Sequence, residues 1–153
     1  MSSEEENKQI ALSIIEALNT HDLSVWSKHL AEDYTAEHPG VSVPLNKTMG
    51  IGYNQRFVTA FPDIHFEVLS VFAEGDYVLI HWRASGTHAE RLATVTGETI
   101  PPSRRTMTVS GAALAEVRDG KIVRKWVYWD QLSLLAQLGI TEQPGLFLSA
   151  EGF

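Results

Sequence analysis

The hydrophobic pattern of this chain changes period at Pro62, and that switch limits the folds open to it. Before Pro62, apolar residues recur every three or four positions, as one buried helix face requires. After it they alternate, as strands half-buried in a sheet require. Ile10, Ile14 and Leu18, joined by Ala11, Ile15 and Ala17, form the first helical face, from Ser3 to about Asn19. Ser3 and Glu6 make a capping box, and Glu4 and Glu5 set negative charge beside the orphaned N–H groups of the first turn. Thr20-His21-Asp22 breaks this helix, and Asp22 caps a second short one through Val25, Trp26, His29 and Leu30. A third runs from Tyr53 to Phe61, where Pro62 stops it, and the segment from Pro39 to Gly52 reads as a loop.

Four strands follow. Ile64–Phe72 meets Tyr77–Gly86 across Glu74-Gly75-Asp76, and Thr106–Arg118 meets Lys121–Asp130 across Asp119-Gly120, a strong short hairpin signal. Both pairs are expected to be antiparallel. His88 to Arg105, with Gly97, Pro101 and Pro102, is a long connection reaching over one end of the sheet. A final helix, Gln131–Leu138, stops at Gly139. Helices first and a long antiparallel sheet afterwards is the α+β order, with helices covering one face of a curved sheet. Simple alternation along the last strand puts Ile122, Arg124, Trp126, Tyr128 and Asp130 on one face and Val123, Val127 and Trp129 on the other. Both faces carry large apolar groups and the helices cover only one, so the face bearing Val123, Val127 and Trp129 is expected to meet a second copy, in a homodimer or tetramer.

At 153 residues the chain suits one domain, 1–153, with one core. Twelve basic against 19 acidic side chains give a net charge of −7, which repels a phosphate backbone and argues against nucleic acid as a partner. No cysteine is present, which excludes disulfides, thiolate metal sites and cysteine nucleophiles. Met1-Ser-Ser-Glu-Glu-Glu lacks a signal-peptide pattern and no apolar run reaches the length of a membrane span, so a cytoplasmic protein without a membrane partner is expected.

The sharpest chemical feature is Trp126-Val-Tyr-Trp129-Asp130-Gln131, an aromatic strand ending in a carboxylate with no basic neighbour. Two roles are open to Asp130. Facing the covered side with Trp126 and Tyr128, it would be desolvated, protonated and fit for general acid/base work; facing out, it would cap the helix that follows. The six histidines, His21, His29, His38, His65, His81 and His88, form neither an HExxH nor an HxH pattern, so no metal site is expected. His38, in Tyr34-Thr-Ala-Glu-His38-Pro-Gly, follows the second helix where loops meet the mouth of a pocket. Gly50-Ile-Gly52 is no phosphate loop, Ser110 has no triad partner, and Arg104-Arg105 reads as a solvated pair.

The joint order of Phe57-x-x-Ala60-Phe61-Pro62-Asp63, Ala73-Glu74-Gly75-Asp76-x-Val78, Gly86-Thr87-His88, Pro101-Pro102, Asp119-Gly120-Lys121-Ile122 and Trp129-Asp130-Gln131 leading to Gln137-Leu138-Gly139 resembles the SnoaL-like polyketide cyclases. Those proteins belong to the nuclear transport factor 2-like superfamily, also called cystatin-like. The resemblance covers nearly the whole chain. It implies an α+β cone, with N-terminal helices packed on a curved antiparallel sheet around a pocket, and an intramolecular aldol ring closure without metal or organic cofactor. It also implies Asp130 as the catalytic acid/base, with His38 facing the same pocket as a second catalytic group. Tyr53, Phe57, Trp82, Trp126, Tyr128 and His88 are the side chains expected to hold a small hydrophobic substrate. The rim departs from the family pattern: Gly86-Thr87-His88 is followed by Ala89-Glu90-Arg91-Leu92, and Pro101-Pro102 by Ser103-Arg104-Arg105.

The expected activity is proton abstraction next to a carbonyl, with Asp130 as base then acid and Tyr128, His38 or Tyr53 holding the enolate oxygen. Epoxide opening of the limonene-epoxide hydrolase kind, or another isomerase reaction of the superfamily, ranks below, because Arg83 is followed by Ala84-Ser85 where a second carboxylate is needed. From a different class comes a dimeric protein that binds a small molecule without catalysis, since an apolar cone needs only complementarity to bind.

Overall fold

The computed structural model describes residues 3–94 and 97–140, so the ends of the expected 1–153 domain lie outside the described residues. A first helix, α1 (Ser3–Thr20), is followed by a 3₁₀ helix (Leu23–Lys28), strand β1 (Leu30–Glu37) and helix α2 (Lys47–Ala60). Strands β2 (His65–Glu74), β3 (Tyr77–Thr87), the short pair β4 (Leu92–Ala93) and β5 (Thr99–Ile100), β6 (Thr106–Arg118) and β7 (Lys121–Trp129) come next, and α3 (Gln131–Gln137) closes the described chain. The main sheet has the order β1-β7-β6-β3-β2. Helices lie against one face of this curved sheet, the α+β order expected from the switch of period and the cone that the resemblance implies.

Both hairpins form where their turns require. Asp119 and Gly120 take φ of +52° and +77°, the left-handed pair that a tight turn between twisted strands needs. Helix α1 is fastened to β2 and its hairpin at both ends. Glu4 accepts a hydrogen bond from the Gly75 N–H at 2.8 Å, while Asn19 accepts from Phe66 N at 2.7 Å and donates to Phe66 O at 2.9 Å. Its apolar face, Ala11, Ile14, Ile15 and Leu18, is thereby held over the sheet. Trp26, 1% exposed, locks the 3₁₀ helix beneath it by donating to Ile14 O at 3.2 Å.

Three expectations change. Leu30 opens a strand rather than ending a helix, and β1 pairs with β7 in parallel, so the sheet is mixed and not wholly antiparallel. Glu32 and Asp33 interrupt the apolar alternation of β1, and its pairing partner lies far along the chain, so local pattern carries little trace of it. Helix α2 begins at Lys47, well before Tyr53, because Asn46 caps it by accepting from Met49 N at 3.0 Å; Gly50 and Gly52, poor helix formers, mask that start in the sequence. The third change fixes what the cone contains. On β7, Ile122 pairs with Val117 but Arg124 pairs with Glu116, so Val123 is an extra residue in a β-bulge. Beyond the bulge the parity reverses: Lys125, Val127 and Trp129 point into the cone, and Trp126 and Tyr128 point out.

Candidate functional site

The cone encloses a cavity of about 830 Å³, its open mouth included, between α1, α2 and the inner face of the sheet. Register builds it in rows across the strands. One row is Ala36, Lys125, Ala115 and Val78, of which Lys125 and Ala115 line the cavity. The next contains Val127, Ala113 and Ile80, and a third Trp129, Gly111 and Trp82. A Cβ on Gly111 would strike the Trp82 ring, Tyr128 O at 2.6 Å and Trp129 Cβ at 2.8 Å, so glycine is what allows the two indole walls to close up. Ile14, Ile15 and Leu18 cover one side of the cavity, and Tyr53 and Phe57 from α2 another.

Its polar groups are few. His38, just past β1, is 6% exposed, and neither ring nitrogen has a hydrogen-bond partner among the described residues. Its ring lies 4.2 Å from that of Tyr53, which meets Phe57 at 5.7 Å, and Phe57 meets Trp129 edge-on at 5.5 Å. Burial, with Lys125 and Arg56 adding repulsion, pushes the His38 imidazole down to about 3, so it is neutral at physiological pH. The Tyr53 hydroxyl is pushed up by burial, opposed by hydrogen bonding with Trp129 and by the nearby Arg56 guanidinium. Lys125 is 7% exposed, and its ammonium stands 4.9 Å from the Trp26 ring centroid. Burial alone brings this amine down to about 8. Among the described residues, none that lines the cavity is an aspartate or glutamate.

The structure therefore divides the expected site residues. His38, Tyr53, Phe57 and Trp82 line one cavity. Trp126 lies half-buried on the outer face beneath Arg124, and Tyr128 is 65% exposed, because the bulge at Val123 reversed their direction. Asp130 does not enter the cone with them. It is exposed and caps α3, its Oδ1 accepting from Ser133 N at 2.9 Å. His88 is fully buried but outside the cavity lining; its Nδ1 accepts from Ser103 N at 3.0 Å and its ring packs on Phe61, so it anchors the long connection. Lys125 was missed, since simple alternation places it outside; a basic residue between Val123 and Val127 gives no signal of burial unless the bulge is known.

A smaller cavity adjoins the first behind Tyr53, Phe57, Trp129 and Leu134, beneath the segment carrying β4 and β5. Arg56 lies there, donating to Ala93 O and stacking 4.5 Å from the Tyr53 ring centroid. Among the described residues, no three histidines, aspartates or glutamates gather as metal ligands would, and no helix is long and apolar enough to cross a membrane.

Comparison with solved structures gives the same architecture. AclR, a proposed hydroxylase from Streptomyces galilaeus, is 25% identical, with 92% of this chain and 89% of that one covered at a TM-score of 0.78. IdmH, a proposed polyketide cyclase from Streptomyces antibioticus, is 28% identical, with 87% and 98% covered at 0.74. A proposed polyketide cyclase from Acidithiobacillus ferrooxidans is 26% identical, with 91% and 98% covered at 0.72. No curated protein matches the sequence. The family model for SnoaL-like polyketide cyclases matches residues 8–138, a span that takes in the sheet, the cavity and the helix Asp130 caps, and the chain belongs to that family.

Proposed function

We propose that this protein acts on a small hydrophobic carbonyl compound held in the cone, moving a proton at the carbon beside the carbonyl without a cofactor, as in an intramolecular aldol ring closure. The observation that carries this reading is His38: a neutral imidazole, buried in the cavity, with both nitrogens free of partners among the described residues. One nitrogen can accept a proton while the other donates. An imidazole held this low is a weak base in the empty cavity. An enolate forming beside it supplies the negative charge that stabilises imidazolium, and that help exists only as the reaction proceeds. Tyr53, its ring against His38 and its hydroxyl on Pro39 O at 3.5 Å, would hold the substrate oxygen by turning that hydroxyl to it.

The test is deuterium exchange at the α-carbon of 2-acetonaphthone and of aryl β-keto esters, followed by mass spectrometry. The wild type should accelerate exchange, and His38→Gln should lose about two orders of magnitude or more while still binding the ketone. Binding without acceleration by the wild type would leave the second reading, a carrier of hydrophobic small molecules, which the position of Asp130 favours by leaving the cavity without a carboxylate.

Self-association belongs to the same proposal, on a different patch from Val123, Val127 and Trp129. Val127 and Trp129 are inside the cone, whereas Phe72, Leu79, Leu114 and Trp126 form one outward row across four strands. Light scattering at micromolar concentration should show a dimer or tetramer, and Leu79→Lys should shift it to monomer.

A further inference from the structure

The cavity holds a cation whose counter-charge none of the described residues supplies. Lys125 stands in a row with Ala36, Ala115 and Val78 and lines the cavity between α1 and the sheet. The buried carboxylate near it in sequence, Glu116, lies in register with Tyr77 and Arg124 on the opposite face and pairs with Arg118. Lys125 makes no ion pair among the described residues; its ammonium lies against the Trp26 ring and repels a charge on His38. An ammonium in such a place costs several kcal/mol unless an opposite charge comes to it. The chain as a whole carries −7, with carboxylates in abundance, yet among the described residues none lines the cavity, which leaves the cation to a ligand.

We propose that Lys125 anchors an acidic oxygen of the ligand, so that the molecule this cone takes is an amphiphile with an apolar ring or chain and a carboxylate that enters first, toward Trp26. This rests on the reading of the cone as the ligand site and adds the substrate class to it. The Lys125 row receives the anionic end; the adjacent row, Val127, Ala113 and Ile80, receives the carbon to be deprotonated; the Trp82 and Trp129 walls receive the apolar body. The ion pair forms in a site that excludes water, where each partner offsets the other's desolvation and a neutral analogue leaves the ammonium unpaired.

Titration with 2-naphthoate, methyl 2-naphthoate and 2-naphthylmethanol, read by quenching of tryptophan fluorescence and by calorimetry, tests this. Wild type should bind naphthoate at least about 30-fold more tightly than either neutral analogue. Lys125→Met should lose that preference while keeping affinity for the neutral pair, which also reports that the variant is folded. Arg56→Met, which removes the cation of the adjoining cavity, should keep it. Equal binding of all three probes by wild type, or loss of the preference in Arg56→Met with its retention in Lys125→Met, would overturn the anchor and leave the cone as a ligand site. Failure of all three to bind would remove the cone reading and the anchor together.

Discussion

Replacing Lys125 with methionine keeps the apolar stem in the cone and deletes the charge, so it measures what that charge costs the fold. The amine is held at about 8 against an ordinary 10.5, a difference of 2.5, which corresponds to roughly 3 kcal/mol of instability when both states are protonated. The contact with Trp26 returns about 1 kcal/mol, so Lys125→Met should be more stable than wild type by about 2 kcal/mol at pH 7. For a chain of this size that raises Tm by about 4–8 °C. The sign follows from proton linkage. Below pH 8 the native and unfolded chains both hold the proton and the whole cost is present. Between about 8 and 10.5 only the unfolded chain keeps it, so wild-type stability rises with pH relative to the variant and the gap closes. Urea unfolding of both proteins at pH 7, 8, 9 and 10.5 would follow the gap directly. A variant no more stable than wild type at pH 7, or a gap that does not change up to pH 10.5, would refute the placement of an unpaired ammonium in the cone.

His38 follows the same sign in a lower pH window: held at about 3 against 6.5, it stays neutral while the unfolded chain takes up a proton, so stability present above pH 6.5 is lost as pH falls to 3, by up to about 5 kcal/mol. Acid unfolding of His38→Phe should therefore begin at lower pH than that of wild type. Asp130→Asn should match wild type within about 0.5 kcal/mol and in rate on any substrate found, whereas Asp130→Ala should lose about 1 kcal/mol by thermal melting, the pattern of a helix cap; a large loss of rate in Asp130→Asn with stability intact would put the carboxylate back in the chemistry. Gly111→Ala should lose about 3 kcal/mol in urea unfolding, because its methyl group meets Trp82, Trp129 and the Tyr128 carbonyl where no rotamer change makes room.

The architecture was legible from residue order because its signals are local. Ile10, Ile14 and Leu18 share a helix face whatever lies above them, Asp119-Gly120 supplies the left-handed turn between β6 and β7, and Pro62 ends α2 before the alternation begins. His38, Tyr53, Phe57 and Trp82 line the cavity, each on a stretch of regular parity or in a loop whose position the elements fix. What the sequence could not determine was the direction of the last strand's side chains. One unpaired residue, Val123, turns Trp126 and Tyr128 outward and brings Lys125, Val127 and Trp129 in, and a bulge is chosen by pairing with Glu116 and Val117 on a neighbouring strand rather than by any preference of Val123 itself. The capping of α3 by Asp130 has a sequence signal, but so does a catalytic acid at the same position, and only the three-dimensional path of the chain decides between them. Local periodicity therefore specified helices laid over a sheet, and strand register, a tertiary property, decided which side chains fill the cone between them.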